Sequence, residues 1–266
     1  MYNNINMKKL EVDNPFNAPV YHIDTVTSTM DISRQLAKEG APHGTVITAD
    51  YQEAGRGRGL SQGHERTWEM NRGENLPFTM LLRYHYIEEI IPALTLRTGL
   101  AVSLAIENFA PSLQGRIKVK WPNDIMINNK KAVGILCEAD EANVHIGIGI
   151  NVAQKEFPVH LKEKATSIAL EVDLGETNID RFLLLKLILI SLYNELEKPA
   201  VSDWKMNLLN KLYKKDEEIS FIHGTADSKN EVKGRLAGIG ENGEILIVPK
   251  DSLQVCSFIT GELVVY

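Results

Sequence analysis

Four segments of this chain combine residue types that can do chemistry. Gly55-Arg56-Gly57-Arg58-Gly59 sets two guanidinium forks on backbone with three glycines in five positions. Each glycine costs roughly 0.5–1 kcal/mol in regular structure, so the run marks a loop with unusual dihedrals. Arginines on such backbone suit a carboxylate or a phosphate; a flexible exposed loop is the alternative. Lys118-Val119-Lys120-Trp121-Pro122-Asn123-Asp124 alternates as a strand does, with both lysines on one face and Val119 and Trp121 on the other. Pro122 ends that strand and presents Asn123 and Asp124 at a corner. Lys131, after Asn128-Asn129-Lys130, opens an apolar strand and can point into a dry cleft, unless the segment is simply a charged hairpin tip. Gly147-Ile148-Gly149-Ile150-Asn151 leaves one strand face bare, where a flat ring, another backbone or a packed helix can lie close.

Several other chemistries are excluded. Leu60 stands where a dinucleotide fingerprint needs its last glycine, and no Lys-Ser or Lys-Thr follows to make a phosphate loop. There is no Gly-x-Ser-x-Gly elbow, no His-Glu-x-x-His and no Cys/His spacing for a metal. The net charge of −6 and the lack of a basic block argue against a dedicated nucleic-acid binder. Cys137 and Cys256, far apart and each in an apolar stretch, read as core thiols of a reducing compartment rather than a disulfide. Met1–Leu10 has no apolar core for a signal peptide, and Phe182–Tyr193 is too short to span a bilayer and carries Lys186. These features predict a cytoplasmic protein without membrane or nucleic-acid partners.

The elements that must position these groups can be placed by period and punctuation. Ser28 with Asp31 three residues on opens a helix that Gly40 stops, with Ile32, Leu36 and Ala37 on one face. Thr45–Tyr51 and Leu76–Tyr84 read as strands, with Pro77 demoting the start of the second. Leu94–Phe109 has helical spacing. Ile117–Trp121, Ile125–Asn128, Ala132–Glu138 and Val144–Val152 then read as strands joined by connections too short for parallel crossovers. The expected fold is therefore α+β, with a mixed, largely antiparallel sheet and helices against it. Asp180–Glu197 and Asp203–Tyr213 read as helices. From Asp216 short strands with tight turns, among them Glu241-Asn242-Gly243, suggest a small β-barrel. The boundary falls near residue 214, giving a 1–213 catalytic domain and a 214–266 barrel.

Taken in order, the clusters resemble the biotin protein ligases. The matching residues are Ser28-Thr29, Tyr51-Gln52 through Arg58, Trp68, Gly73–Leu76, Lys120 through Asp124, Lys131, Gly134-Ile135-Leu136, Gly147–Val152 and Ala165-Thr166-Ser167. The resemblance implies a class II synthetase-like catalytic fold with an SH3-like C-terminal barrel. It also implies a two-step reaction: biotin and MgATP give biotinyl-5′-adenylate, and a lysine of a biotin carboxyl carrier protein domain then takes the acyl group. By the match, Ser28, Thr29, Met30, Gln52, Arg56, Gly57, Arg58 and Lys131 would hold biotin. Arg58, Trp68, Asn75, Asn123, Lys131 and Asn151 would hold the nucleotide, which carries its own Mg²⁺. Arg58 and Lys131 would be catalytic, and Asp124 would orient Lys131 or take the acceptor amine's proton.

Departures matter as well. Met30 stands where many members have asparagine, and the Gly59–Thr67 stretch is longer than the family's usual lid. Only 26 residues precede Thr27, too few for the N-terminal winged helix of the repressor members, so a monofunctional ligase is expected. A homodimer through a sheet edge would fit the family. A lipoate ligase or octanoyl transferase would carry a different arginine-glycine signature, and a non-catalytic biotin sensor would lack Arg58 or Lys131.

Overall fold

Apolar alternation in the middle of the chain builds one large sheet with helices on both faces. The computed structural model describes residues 6–61, 64–140, 143–172, 179–198, 203–224 and 230–264. Residues 62–63 of the long Gly59–Thr67 stretch and 141–142 of the acidic connection lie outside the described residues. Strands β1 (Lys8–Leu10) and β2 (Val20–Val26) precede helix α1 (Thr29–Lys38), and β3 (Thr45–Gln52) returns parallel to β2. A hairpin of β4 (Arg56–Ser61) and β5 (His64–Thr67) follows, then β6 (Asn75–Arg83) and α2 (Leu94–Phe109). Next come β7 (Ile117–Lys120), β8 (Asp124–Ile127), β9 (Lys130–Asp140) and β10 (Asn143–Asn151). The single turn α3 (Ile168–Glu171), α4 (Arg181–Leu196) and α5 (Trp204–Lys211) lead to β11 (Glu218–His223), β12 (Glu231–Ile239), β13 (Ile245–Pro249), β14 (Cys256–Phe258) and β15 (Gly261–Val264).

The sheet runs β1-β2-β3-β6-β10-β9-β8-β7, antiparallel at every pairing except β2–β3, where α1 supplies the crossover. Phe78, Met80, Ile146 and Ile148 enter the core shared with α2 (Ala101, Val102, Ala105) and α4 (Leu184, Leu185, Ile188). Arg97 and Glu195, both buried, pair at 2.6 Å between those helices. α1 packs Ile32 and Leu36 on the other face, against Ile23, Ile47 and Ala49. Pro77 does not shorten β6, which begins at Asn75 with Pro77 opposite Gly149. Pairing with β3 stops at Phe78, so the missing N–H interrupts no ladder on that side.

The last five strands form an antiparallel sheet in the order β14-β13-β12-β11-β15, and the pairings of the described residues do not close it into a barrel. Its inner face is not a separate core. Phe221, Leu236, Ile245 and Leu263 pack with Leu96, Leu100, Val119, Trp121 and Leu208 of the preceding chain. Trp121 Nε1 donates to Gly243 O at 2.9 Å, in the turn that Glu241-Asn242-Gly243 marks. The two cysteines are free, and burial pushes the Cys137 thiol up to about 11. No helix among the described residues is long and apolar enough to cross a membrane.

Candidate functional site

The start of α1, the β4–β5 hairpin and the glycine face of β9 and β10 enclose one cavity. Ser28 caps α1, accepting from Met30 N, so Thr29 and Met30 sit in the first turn, facing the sheet. Thr29 gives both its backbone N–H (2.8 Å) and its hydroxyl (3.0 Å) to Gln52 Oε1. A backbone donor therefore fixes the Gln52 amide with its oxygen toward α1 and its Nε2 donors available to the cavity. Thr79 Oγ1 lies 2.8 Å from Thr29 Oγ1. Because Thr29 spends its only proton on Gln52, Thr79 is the donor in that pair.

The floor is bare backbone, as the alternating glycines suggested, and the flat ring lying on it is the protein's own. Gly134 and Gly149 are register partners on adjacent strands. A Cβ at Gly149 would stand 2.6 Å from Trp68 Cε2, and one at Gly134 would stand 2.9 Å from Trp68 Cζ3. One turn of the pleat away, a Cβ at Gly147 would meet the Met30 methyl at 2.8 Å. Trp68 Nε1 is buried there without an acceptor, which costs about 1–3 kcal/mol. With the indole in place the cavity measures only 60 Å³, far below the roughly 300–1,000 Å³ of small-molecule pockets. A ligand of drug size enters only if Trp68 moves.

Lys131 reaches the same space because of a break in the ladder. The β8–β9 register shifts between Ile125 and Met126, a bulge that re-aims the start of β9. Its Nζ lies 5.6 Å from the Trp68 ring centre and 2.7 Å from Asp124 Oδ1. The second contact is an ion pair without hydrogen-bond alignment, so that buried carboxylate oxygen keeps an unfilled acceptor. Asn123 lines the cavity and is fixed by Nδ2 donating to Ile135 O at 2.7 Å.

The glycine-arginine run is a strand of a hairpin rather than a free loop. Arg56 pairs with Asp31 of α1 at 2.8 Å. Arg58 lines the cavity and donates from Nη2 to Gly261 O at 2.6 Å, and Arg66 makes a two-pronged pair with Glu262 at 3.2 and 2.7 Å. Burial pushes the Arg58 pKa down, while Glu262 and Asp124 pull it up. The first residues of β15 thus hold the arginine hairpin from across the chain.

Of the residues singled out in the sequence, Ser28, Thr29, Met30, Gln52, Arg56, Gly57, Arg58, Trp68, Asn123 and Lys131 line the cavity, and Asp124 touches it through Lys131. Asn75 and Asn151 are buried outside its wall. Asn75 Nδ2 donates to Gln154 Oε1 at 2.6 Å, and Asn151 Nδ2 donates to Thr166 O at 3.0 Å. Sequence reasoning missed Thr79, Arg66, Gly261 and Glu262. Thr79 had a local signal, being a hydroxyl in an otherwise apolar strand; the other three had none.

A protein-family model described as the Biotin/lipoate A/B protein ligase family matches residues 22–152. A bifunctional ligase/repressor BirA of Bacillus subtilis is 43% identical over 157 residues, 56% of this chain and 46% of the relative. A biotin--[acetyl-CoA-carboxylase] ligase of Mycobacterium tuberculosis is 30% identical over 160 residues, 59% of this chain and 56% of the relative. The chain spans about half the length of these curated relatives. A solved biotin protein ligase from Aquifex aeolicus in complex with biotin and ATP superposes with a TM-score of 0.74 at 28% identity, covering 92% of this chain and 97% of that one.

Proposed function

The chain belongs to the Biotin/lipoate A/B protein ligase family through residues 22–152, and on that premise we propose that its cavity joins biotin to ATP and passes the acyl group to a lysine of a carrier domain. The carrying observation is the site itself. One glycine-floored cavity offers neutral donors at one end and Arg58 and Lys131 at the other. Gln52 Nε2 and the Ser28 hydroxyl suit an uncharged ureido ring, and the Met30 methyl gives that end an apolar wall. Arg56, Gly57 and Arg58 close over the acid, while Trp68 and Asn123 meet the nucleotide. Asn75 and Asn151 stand outside the cavity wall, each donating its amide nitrogen to protein, while Asn151 Oδ1 is buried without a partner.

The reaction brings a carboxylate to a phosphate. At 4 Å and an effective dielectric near 20, each pair of unit negative charges repels by about 4 kcal/mol. Arg58 and Lys131 offset that repulsion and stabilise the charge gathering on the phosphoryl oxygens. A carboxylate oxygen bonds to the α-phosphorus, the bond to the β-phosphate oxygen breaks, and pyrophosphate leaves. The carrier amine then attacks the acyl carbon, AMP leaves with the bridging oxygen, and Asp124 is placed to orient Lys131 or to take the amine's proton. Asp124 also fits a magnesium ion, whose usual site combines one or two carboxylates with substrate phosphates. Bound there, the ion would screen phosphate charge. Hairpin closure excludes water, which would hydrolyse the mixed anhydride. The partner that fits is the carrier domain of a biotin-dependent carboxylase.

The test is pyrophosphate release from MgATP with biotin or lipoate supplied separately and no carrier present. Release with biotin, and its loss by orders of magnitude in Lys131→Ala at an unchanged melting temperature, is expected. Release with lipoate alone would overturn the substrate assignment. Normal adenylation in Lys131→Ala would return that lysine to a surface role.

A further inference from the structure

Lys120 stands out because its surroundings leave it without work. Strand alternation predicts it in solvent beside Lys118, yet it is only 7% exposed. It sits at the end of β7 opposite Asp124. Among the described residues its ammonium has neither an ion pair nor a hydrogen bond, whereas Lys118 and Lys131 each have one or the other. The charged groups around it are Asp124, Glu262, Lys131 and Arg66, contributed by β8, β15, β9 and β5. Burial lowers the Lys120 pKa, the two carboxylates raise it, and the other two cations lower it. Arg58 shares three of these neighbours, Glu262, Asp124 and Arg66. Four cations therefore converge on two carboxylates, a surplus of positive charge beside the cavity's phosphate end. An unpaired buried charge is costly, and an anion placed beside it would offset that cost.

We propose that Lys120, with Arg66, forms the seat of the β- and γ-phosphates, between the Trp121-Pro122-Asn123-Asp124 corner and β15. This rests on the adenylating function proposed above and adds to it a group for the leaving half of the nucleotide. When the α-phosphorus forms its bond to the carboxylate oxygen, the electron pair of the breaking bond passes to the bridging oxygen of the departing pyrophosphate. Lys120 stabilises the charge that develops there. The acyl-transfer half-reaction involves no pyrophosphate and does not use it.

The experiment compares Lys120→Met and Lys120→Arg with wild type in four readouts. These are the KM for ATP, inhibition by inorganic pyrophosphate, transfer from preformed biotinyl-adenylate to a carrier domain, and the melting temperature. A hydrogen bond to a charged group is worth about 1.5–3 kcal/mol, so Lys120→Met should raise the ATP KM and the pyrophosphate inhibition constant about ten- to a hundredfold. Transfer from preformed adenylate should stay within about twofold, and Lys120→Arg should recover much of the loss. The melting temperature should hold or rise, because an unpaired buried charge has been removed. Unchanged pyrophosphate inhibition would overturn the proposal, and so would an equal fall in both half-reactions with a lower melting temperature. Absence of biotin-dependent pyrophosphate release in the wild type would instead sink the functional reading itself.

Discussion

The substitution Gly149→Ala tests the site without touching any side chain that does chemistry. The added Cβ would stand 2.6, 2.9 and 3.0 Å from Cε2, Nε1 and Cδ2 of Trp68. Carbon atoms pack at about 3.5–4.0 Å, so the indole must withdraw by about 1 Å. Overpacking of that size costs about 1–3 kcal/mol, or about 2–10 °C in a chain of this length. A misplacement of about 1 Å can lower the adenylation rate about a hundredfold. The stability assay is a double-mutant cycle with Trp68→Ala, read by thermal melting. With the ring gone, Gly149→Ala should cost almost nothing, leaving a coupling energy of about 1–3 kcal/mol. Equal costs in the two backgrounds would mean that the ring does not rest on this glycine.

Two further outcomes follow from contacts outside the cavity. His145 is fully buried, with Ser33 Oγ 2.7 Å from Nδ1 and Asp140 Oδ2 3.1 Å from Nε2. Burial favours the neutral ring, for which Nε2–H facing the carboxylate and Nδ1 accepting from Ser33 is the tautomer that satisfies both contacts. Burial lowers its pKa from 6.5 against the opposing pull of Asp140. The unfolded chain therefore binds the proton first, and stability is lost as pH falls below about 6.5. Between pH 7 and 5 the wild-type melting temperature should drop more steeply than that of His145→Gln, and parallel curves would contradict this. Glu262→Gln should release Arg66. That pair is part-exposed and worth about 1 kcal/mol at most, so melting should barely change while escape of adenylate into solution rises several-fold. Unchanged adenylate retention would show that β15 does not hold the hairpin.

What the sequence made legible was local. The helix start at Ser28, the strand order implied by short connections, and the bare face of Gly147 and Gly149 all follow from residue type and period. What it hid was non-local. No spacing rule says that the ring on Gly149 is Trp68, arriving from a hairpin some eighty residues earlier, or that Gly147 meets the Met30 methyl instead. Lys120 alternates with Val119 as a solvated residue should, yet the fold leaves it only 7% exposed. Arg58 and Arg66 depend on Gly261 and Glu262 in the last strand, a pairing made by tertiary packing alone. Pro77 sits inside a central sheet because the β3–β6 ladder stops at Phe78, one residue short of the proline, which no reading of β6 by itself could reveal.

The central claim is that a carboxylate held in this cavity attacks the α-phosphorus of ATP. The direct measurement uses biotin labelled with ¹⁸O in both carboxylate oxygens, with MgATP and hydroxylamine to take the acyl group. The AMP formed should carry one labelled oxygen, and the pyrophosphate none. Label in pyrophosphate, or unlabelled AMP, would mean that the bond to phosphorus forms somewhere else.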